Sequence, residues 1–455
     1  MPDVINPATG ECIRSVDWHT PEDIERKLTA ARKAFRRWRD LAFEERARCL
    51  EAVAGRLREQ NERHAALMTA EMGKPVREAL GEVEKAAWCC EHYAGHAAEY
   101  LADTSIEADA TRSWVQYLPL GTVLGILPWN SPYWLATRVF APALMAGNTV
   151  ILKHDAHVPG CAAAIEEVFR DAGAPEGLLQ TLHVGNQTAE AVMRDPRVQA
   201  VSFTGSTRGG RAVAGIAAAA TKPAVLELGG SDPALVLADA DLDEAVDTLA
   251  ASRFICAGQS CIAAKRIFVE STGYGNFISL FKKRLERLEV GDPTRRETDI
   301  GPLARADLRD NLHRQVQDSI AAGAKCLLGG EMPTGPGSFY PVTLLADVPQ
   351  TAAAFAEETF GPVAAVAPVA DVEEGIALAN RTEYGLAASV WTTPERGVEM
   401  ARRFEAGQVA VNGIVKTDPR LPSGGIKASG YGRELGPHGI HEFVNAQQVW
   451  LGPKK

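Results

Sequence analysis

Apolar residues at Ile24, Leu28, Ala31 and Phe35 fall on one face of a helix that opens at Pro21. Further helices are expected over 44–60 and 62–71, a break at Met72-Gly73-Lys74-Pro75, and a helix again over 76–101. Residues 21–105 therefore predict a run of helices. The stretch 111–119 alternates instead, which is the period of a strand. From 121 the pattern changes once more. Short apolar runs at 123–127, 149–153, 178–184, 198–203 and 224–228 are separated by helical segments at 137–146, 160–172 and 209–220. A second series follows, with strands expected at 234–237, 266–269, 326–328, 363–369, 387–391 and 408–411. Helices are expected between them at 242–253, 274–288, 305–322, 372–380 and 395–404. Apolar runs spaced by helices predict parallel sheet covered on both faces. The Gly/Pro-rich stretch 329–337 reads as a loop, 422–434 as turns, and 447–451 as a terminal strand of the kind that pairs with another subunit.

Composition narrows the class. The 455 residues exceed one ordinary core and predict two or three domains. Hydrophobic residues at 46% and charged residues at 23% describe a globular chain. A net charge of −10 argues against nucleic acid or anionic membrane as partner. No apolar stretch is long enough to span a bilayer, and the first ten residues lack the pattern of a secretory signal. The 8 scattered cysteines contain no Cys-x-x-Cys pair, which points to a reduced, cytoplasmic chain. Cys89, His92 and His96 have a spacing that can hold zinc. No second ligand cluster accompanies them, so ordinary helix packing and no metal are expected.

Several strand ends carry residues able to do chemistry. The strand 198–203 runs into Thr204-Gly205-Ser206 and a helix, a turn whose N–H groups favour a phosphate. Glu227-Leu228-Gly229-Gly230 ends another strand at the expected carboxyl edge, where a carboxylate can act as general base. Asn130, after Pro128-Trp129, offers a neutral donor for an oxyanion. Lys153 closes a strand and can meet a phosphate or ribose, and Glu358 lies on a loop where it can hydrogen-bond a sugar. Cys261, in Gly258-Gln259-Ser260-Cys261, sits on a loop before the strand 266–269, where a thiolate can serve as nucleophile. Taken singly, each has a bland reading as a turn residue, a solvated charge or an inert buried thiol.

In combination these stretches resemble the aldehyde dehydrogenase superfamily. The match runs from Asn6-Pro7-Ala8-Thr9-Gly10 through the motifs above, with Glu357-Glu358-Thr359-Phe360-Gly361-Pro362, Val411-Asn412-Gly413 and Ser429-Gly430-Tyr431-Gly432-Arg433-Glu434, all in the family's order. The resemblance implies an α/β fold with two Rossmann-type domains and a small β oligomerisation element. It places a cofactor-binding domain at 1–107 and 121–228, a catalytic domain at 229–430, and a bridging element at 108–120 with 431–455. It implies that Cys261 attacks the aldehyde carbon, that Asn130 and the Cys261 N–H hold the oxyanion, and that Glu227 activates water for deacylation. Trp129, Lys153, His154, Asp155, Ala156, Gly205, Ser206, Leu228, Glu358 and Phe360 would form the cofactor cleft. A homodimer or homotetramer is implied.

The same resemblance bears on cofactor and substrate. NAD-preferring relatives carry a glutamate at the position of Ala156; its absence removes repulsion against a 2′-phosphate, so NADP is tolerated, while Asp155 keeps NAD in play. Arg138, eight places after Asn130, matches the arginine that pairs with the distal carboxylate in succinate-semialdehyde dehydrogenases, and Thr417 matches a hydroxyl residue that helps it. Two positions depart from that group. Its second arginine is Ile255 here, with Arg253 and Lys416 as nearby cations, and its usual aromatic is Ser423. Succinate semialdehyde is the implied substrate. The alternatives are another short-chain or aromatic aldehyde, or a catalytically silent dinucleotide-binding relative. Cys256, five places before Cys261, adds the question of a reversible disulfide.

Overall fold

A computed structural model describes residues 3–452. Two α/β sheets dominate it. In the first, the strands run in the order Gly430–Tyr431, Ala224–Glu227, Val198–Thr204, Thr122–Leu127, Thr149–His154, Leu179–Thr181. All neighbours are parallel except Gly430–Tyr431, which lies antiparallel to Ala224–Glu227. In the second, the order is Lys325–Leu328, Thr343–Ala346, Val363–Val369, Ala264–Glu270, Asp232–Val236, Ala387–Trp391, Gln408–Val411. Only Lys325–Leu328 is antiparallel there. A third, antiparallel sheet joins Thr104–Ser105, Arg112–Pro119 and Val444–Leu451, the last two in unbroken register from Val444 opposite Pro119 to Leu451 opposite Arg112.

The apolar runs become central strands for the expected reason. Thr122–Leu127 is buried at every position, with neighbours on both sides and helices on both faces. Helices Phe43–Glu59, Val76–Tyr100 and Pro132–Met145 pack Leu50, Val53, Ala86, Tyr93 and Phe140 into the same core as Val123 and Val150. Cys89 and Cys90 are buried in that core, while His92 and His96 stack on each other at 4.5 Å between centroids. Among the described residues no helix is long and apolar enough to cross a membrane.

Some elements differ from their expected bounds. The helix expected at 137–146 begins five residues earlier, with Pro132 at its first turn. Its free N–H groups at Tyr133 and Trp134 donate to Glu82 Oε1 at 2.9 and 3.1 Å, a cap supplied from a distant helix. Thr343–Ala346 and the helix Asn186–Arg194 were not expected, although Ala189, Val192 and Met193 of the helix recur on one buried face.

One buried amide holds the entry to the central strand. Asn148 is fully buried; its Oδ1 accepts from Leu120 N and Gly121 N at 2.8 and 3.0 Å. Its Nδ2 donates to Ala143 O and Phe443 O at 3.1 and 2.8 Å. Four backbone groups from three segments thus depend on one side chain. Asn148→Ala is expected to lower stability by about 2–4 kcal/mol, because buried polar groups are left unpaired. Urea unfolding checks this; an unchanged midpoint would mean that the amide is dispensable.

Candidate active site

The carboxyl ends of the first sheet's parallel strands converge on one edge. Chain order reverses at Thr122–Leu127: Thr149–His154 follows on one side, whereas Val198–Thr204 lies on the other. Such a switch point opens a crevice outside the strand ends, where ligands of open α/β sheets bind. Trp129 and Asn130 follow the switch strand, Lys153 ends its neighbour with Asp155 and Ala156 just beyond, and Gly205 and Ser206 follow Val198–Thr204. Ser206 caps the helix Thr207–Ala219, its Oγ accepting from Gly209 N at 3.2 Å. Beside it, Thr204 Oγ is buried without a hydrogen-bond partner among the described residues. A helix N-terminus, an orphaned hydroxyl and a half-buried lysine fit a phosphate-bearing dinucleotide.

Not every expected cofactor residue faces that crevice. His154 is buried and its Nε2 bonds Pro132 O at 3.0 Å, so it supports the next helix; burial pushes its pKa down to about 4 and keeps it neutral. Asp155 accepts from its own loop, at His157 N (3.0 Å) and His157 Nδ1 (2.7 Å). Leu228 is buried against Gly210, where a Cβ would stand 2.3 Å from its Cδ2. Phe360 meets Trp129 edge to face at 5.8 Å. Glu358 accepts from Gly230 N at 3.1 Å and pairs with Lys265 at 3.2 Å.

The nucleophile loop is strained and clamped. Cys256, Ala257 and Gly258 all have positive φ (54, 52 and 75°). Each of the first two costs roughly 1–2 kcal/mol in a left-handed conformation. Gly258 has no alternative, since a Cβ would stand 2.2 Å from Gly361 O. Arg253, fully buried, donates to Gly258 O (3.2 Å), Thr359 O (3.1 Å), Gly361 O (2.6 Å) and Val363 O (2.6 Å). Its guanidinium therefore ties the Cys261 loop to the Glu358 loop and is not available as a second substrate cation. Cys256 N donates to Glu78 Oε2 at 2.8 Å, and Gln259 Nε2 to Cys256 O at 3.1 Å. The Cys256 and Cys261 thiols are both free.

Cys261 itself is half-buried, and Asn130 reaches its loop: Nδ2 donates to Gln259 O at 3.0 Å, leaving one amide N–H. The Cys261 backbone N–H has no acceptor among the described residues. Lys265, with a fully buried side chain, donates to Cys261 O at 2.7 Å. Burial pushes the Cys261 thiol up to about 12, while Lys265 and Arg138 pull it down.

Arg138 lies in a cluster of buried charge. Its Nη2 bonds Glu227 Oε2 at 3.1 Å, its Nε pairs with Glu434, and Ser423 Oγ lies 3.4 Å from Nη2. Ser423 also exchanges backbone hydrogen bonds with Glu434 (2.7 and 2.8 Å), which carries that carboxylate to the guanidinium. Burial pushes the Glu227 carboxyl up to about 7; Arg138 opposes this and Glu434 adds to it. Glu227 Oε1 has no hydrogen-bond partner among the described residues. Thr417 is buried and accepts from Trp134 Nε1 and Lys85 Nζ, each at 2.9 Å. The assembly offers a thiol, two N–H groups able to hold an oxyanion and an unpaired buried carboxylate oxygen, the parts of a covalent acyl-transfer site.

Comparison with known proteins agrees with that geometry. The profile of the aldehyde dehydrogenase family matches residues 2–449. The chain belongs to the aldehyde dehydrogenase family. It is 48% identical over 448 residues to a probable succinate-semialdehyde dehydrogenase [NADP(+)] of Synechocystis sp., covering 98% of this chain and 99% of that one. It is 44% identical over 447 residues to succinate semialdehyde dehydrogenase [NAD(P)+] Sad of Escherichia coli, covering 98% and 97%. Among solved structures, succinic semialdehyde dehydrogenase from Streptococcus pyogenes in complex with NADP+ superposes with a TM-score of 0.97 at 35% identity, covering 99% of both chains.

For this aldehyde dehydrogenase, sequence reasoning singled out Cys261, Asn130 and Glu227 but not Lys265, Glu434 or Lys85. Glu434 was visible only as the end of a motif. Lys265, a lysine four places after the nucleophile within a strand buried on both faces, was a signal that went unused. The thiol environment is testable. Alkylation of Cys261 by iodoacetamide in the free enzyme is expected to keep accelerating beyond pH 9, since the thiolate is the reacting form. A rate that levels off near neutral pH would show a thiolate already formed.

Proposed function

We propose that the protein oxidises succinate semialdehyde to succinate, with NADP or NAD as hydride acceptor. The observation that carries this reading is that Asn130 and Glu227 stand at the carboxyl edge of the first sheet, with Asn130 bonded to the Cys261 loop and Arg138 buried against Glu227. The Cys261 thiol gives its proton to solvent, and its sulfur bonds to the aldehyde carbon as the C=O pair moves onto oxygen, giving a thiohemiacetal anion. The second Asn130 N–H and the Cys261 N–H hold the oxygen that becomes negative. A dinucleotide held in the crevice would supply the hydride acceptor, and loss of hydride from the thiohemiacetal carbon would leave a thioester to Cys261. Glu227 keeps Oε2 on Arg138 and draws a proton from water through Oε1. The water oxygen bonds to the thioester carbon, the C–S bond breaks, and the acid departs.

In this reading residues 1–107 and 121–228 bind the cofactor, with Lys153, Ser206 and Glu358 on its phosphates and riboses. Residues 229–430 carry catalysis, and 108–120 with 431–455 bridge subunits. Ala156 leaves room for a 2′-phosphate, in line with the NADP(+) in the names of the relatives. Strand Val444–Leu451 supports a homodimer or homotetramer: it lies at the edge of its sheet and exposes Trp450 and Leu451. Free cysteines throughout suit the cytoplasm.

A substrate panel with both cofactors tests the proposal. Succinate semialdehyde is expected to exceed butanal in kcat/KM by about 10–100-fold, the worth of a charge-assisted contact. Equal values for butanal or benzaldehyde would replace the substrate, and no turnover of any aldehyde would indicate a silent relative. The base has its own test. Glu227 works deprotonated, so kcat is expected to fall as pH drops through about 7. Glu227→Gln is expected to lose at least about 100-fold in kcat while still releasing one equivalent of reduced cofactor in a burst. A variant with neither burst nor slow phase would place Glu227 in the first step.

A further inference from the structure

The Arg138 guanidinium is already engaged by Glu227, Glu434 and Ser423. Ile255 holds the place of the second arginine and is exposed. Arg253 is turned onto four carbonyls of the loops it clamps. Arg138 Nη1 keeps both its N–H groups, but two carboxylates already balance the charge of the guanidinium, so a distal carboxylate gains from a further cation. On the helix Val76–Tyr100, Glu82 caps the N-terminus of Pro132–Met145, and one turn further Lys85 reaches the same helix. Lys85 Nζ lies 4.1 Å from the Trp134 ring centroid and 2.9 Å from Thr417 Oγ1. Trp134 and Arg138 are one turn apart on their helix, so they share a face.

The hydrogen bonding around Thr417 is directional. Its oxygen receives Lys85 Nζ and Trp134 Nε1, which use both lone pairs. The hydroxyl proton is left to donate, and it has no acceptor among the described residues. Lys85 keeps two further N–H groups, and among the described residues no carboxylate stands within salt-bridge distance of it. Neighbouring Asp418 is held by Arg420 at 2.9 and 2.7 Å. Burial and the nearby charge of Arg138 push Lys85 down to about 8, the mark of a cation without its anion. Lys85 is half-buried, so a ligand can reach it.

We infer that Lys85 is a specificity-determining residue: with the Thr417 hydroxyl it binds the distal carboxylate of the substrate, supplying the charge that Ile255 does not. This rests on the proposed preference for succinate semialdehyde. Trp134 holds both donors in place and walls the site with an aromatic face. The contact is uniform in ground and transition states, so its loss acts on KM and not on kcat.

The test is steady-state kinetics of the full-length enzyme on succinate semialdehyde and on butanal, the uncharged four-carbon aldehyde. Lys85→Met is expected to raise KM for succinate semialdehyde about 10–100-fold, with butanal within about two-fold of the parent. Lys85→Arg is expected to recover part of the loss, and Thr417→Val to show a smaller loss on the same substrate alone. Equal losses on both aldehydes, or an unchanged preference in Lys85→Met, would overturn the assignment while the substrate reading stands. A parent with no preference for succinate semialdehyde would sink the substrate reading and the role of Lys85 with it.

Discussion

One arginine between two carboxylates governs this site. Arg138 joins the helix Pro132–Met145 to the end of strand Ala224–Glu227 and to Glu434 in the C-terminal turns. Three charges out of water are expensive, and the arrangement is stable only with its geometry complete. One cation for two carboxylates leaves a negative excess in a low-dielectric pocket. Burial raises Glu227 above the ordinary carboxylate range, to about 7; Arg138 opposes this and Glu434 adds to it. The arrangement also leaves one oxygen of Glu227 free for water. The same interaction that packs three segments together therefore acts on the acidity of Glu227. It also occupies Nη2 and Nε of the guanidinium that the resemblance assigns to the substrate, leaving Nη1 with its two N–H groups.

A second constraint acts on the nucleophile. Two non-glycine residues in left-handed conformation would relax if left alone. They are held because Arg253, buried without a carboxylate partner, satisfies carbonyls on both sides of the site. Glu78 and Gln259 fix the remaining groups of the turn. Lys265 adds a bond to the Cys261 carbonyl and an ion pair with Glu358, so one cation links nucleophile loop and cofactor-side carboxylate. Strain a few residues before Cys261, offset by buried hydrogen bonds, suits precise placement of a thiol.

The chemistry-bearing positions were legible because they follow strands. A short apolar run ends where the backbone must turn, and the residue after it stands at the sheet edge; Asn130, Gly205 and Glu227 could be found that way. The helices and strands with a strong period were legible too. Thr343–Ala346 was not, since four buried residues carry too little periodicity, whereas in Asn186–Arg194 the helical spacing of Ala189, Val192 and Met193 was a signal that went unused. The early start of Pro132–Met145 was hidden for another reason: its cap, Glu82, is fifty residues away.

By itself, then, the chain determined its class, its alternating α/β order and the positions proposed as nucleophile, oxyanion donor and base, because these are set by local period and by residue type at strand ends. The tertiary structure alone decided which charges meet. That Arg138 faces two carboxylates, that His154 turns to a helix instead of the crevice, that Arg253 clamps loops, and that Lys85 is left without an anion all depend on contacts between segments tens to hundreds of residues apart. Charge pairing in a folded interior is a long-range property of packing, and no spacing along the chain encodes it.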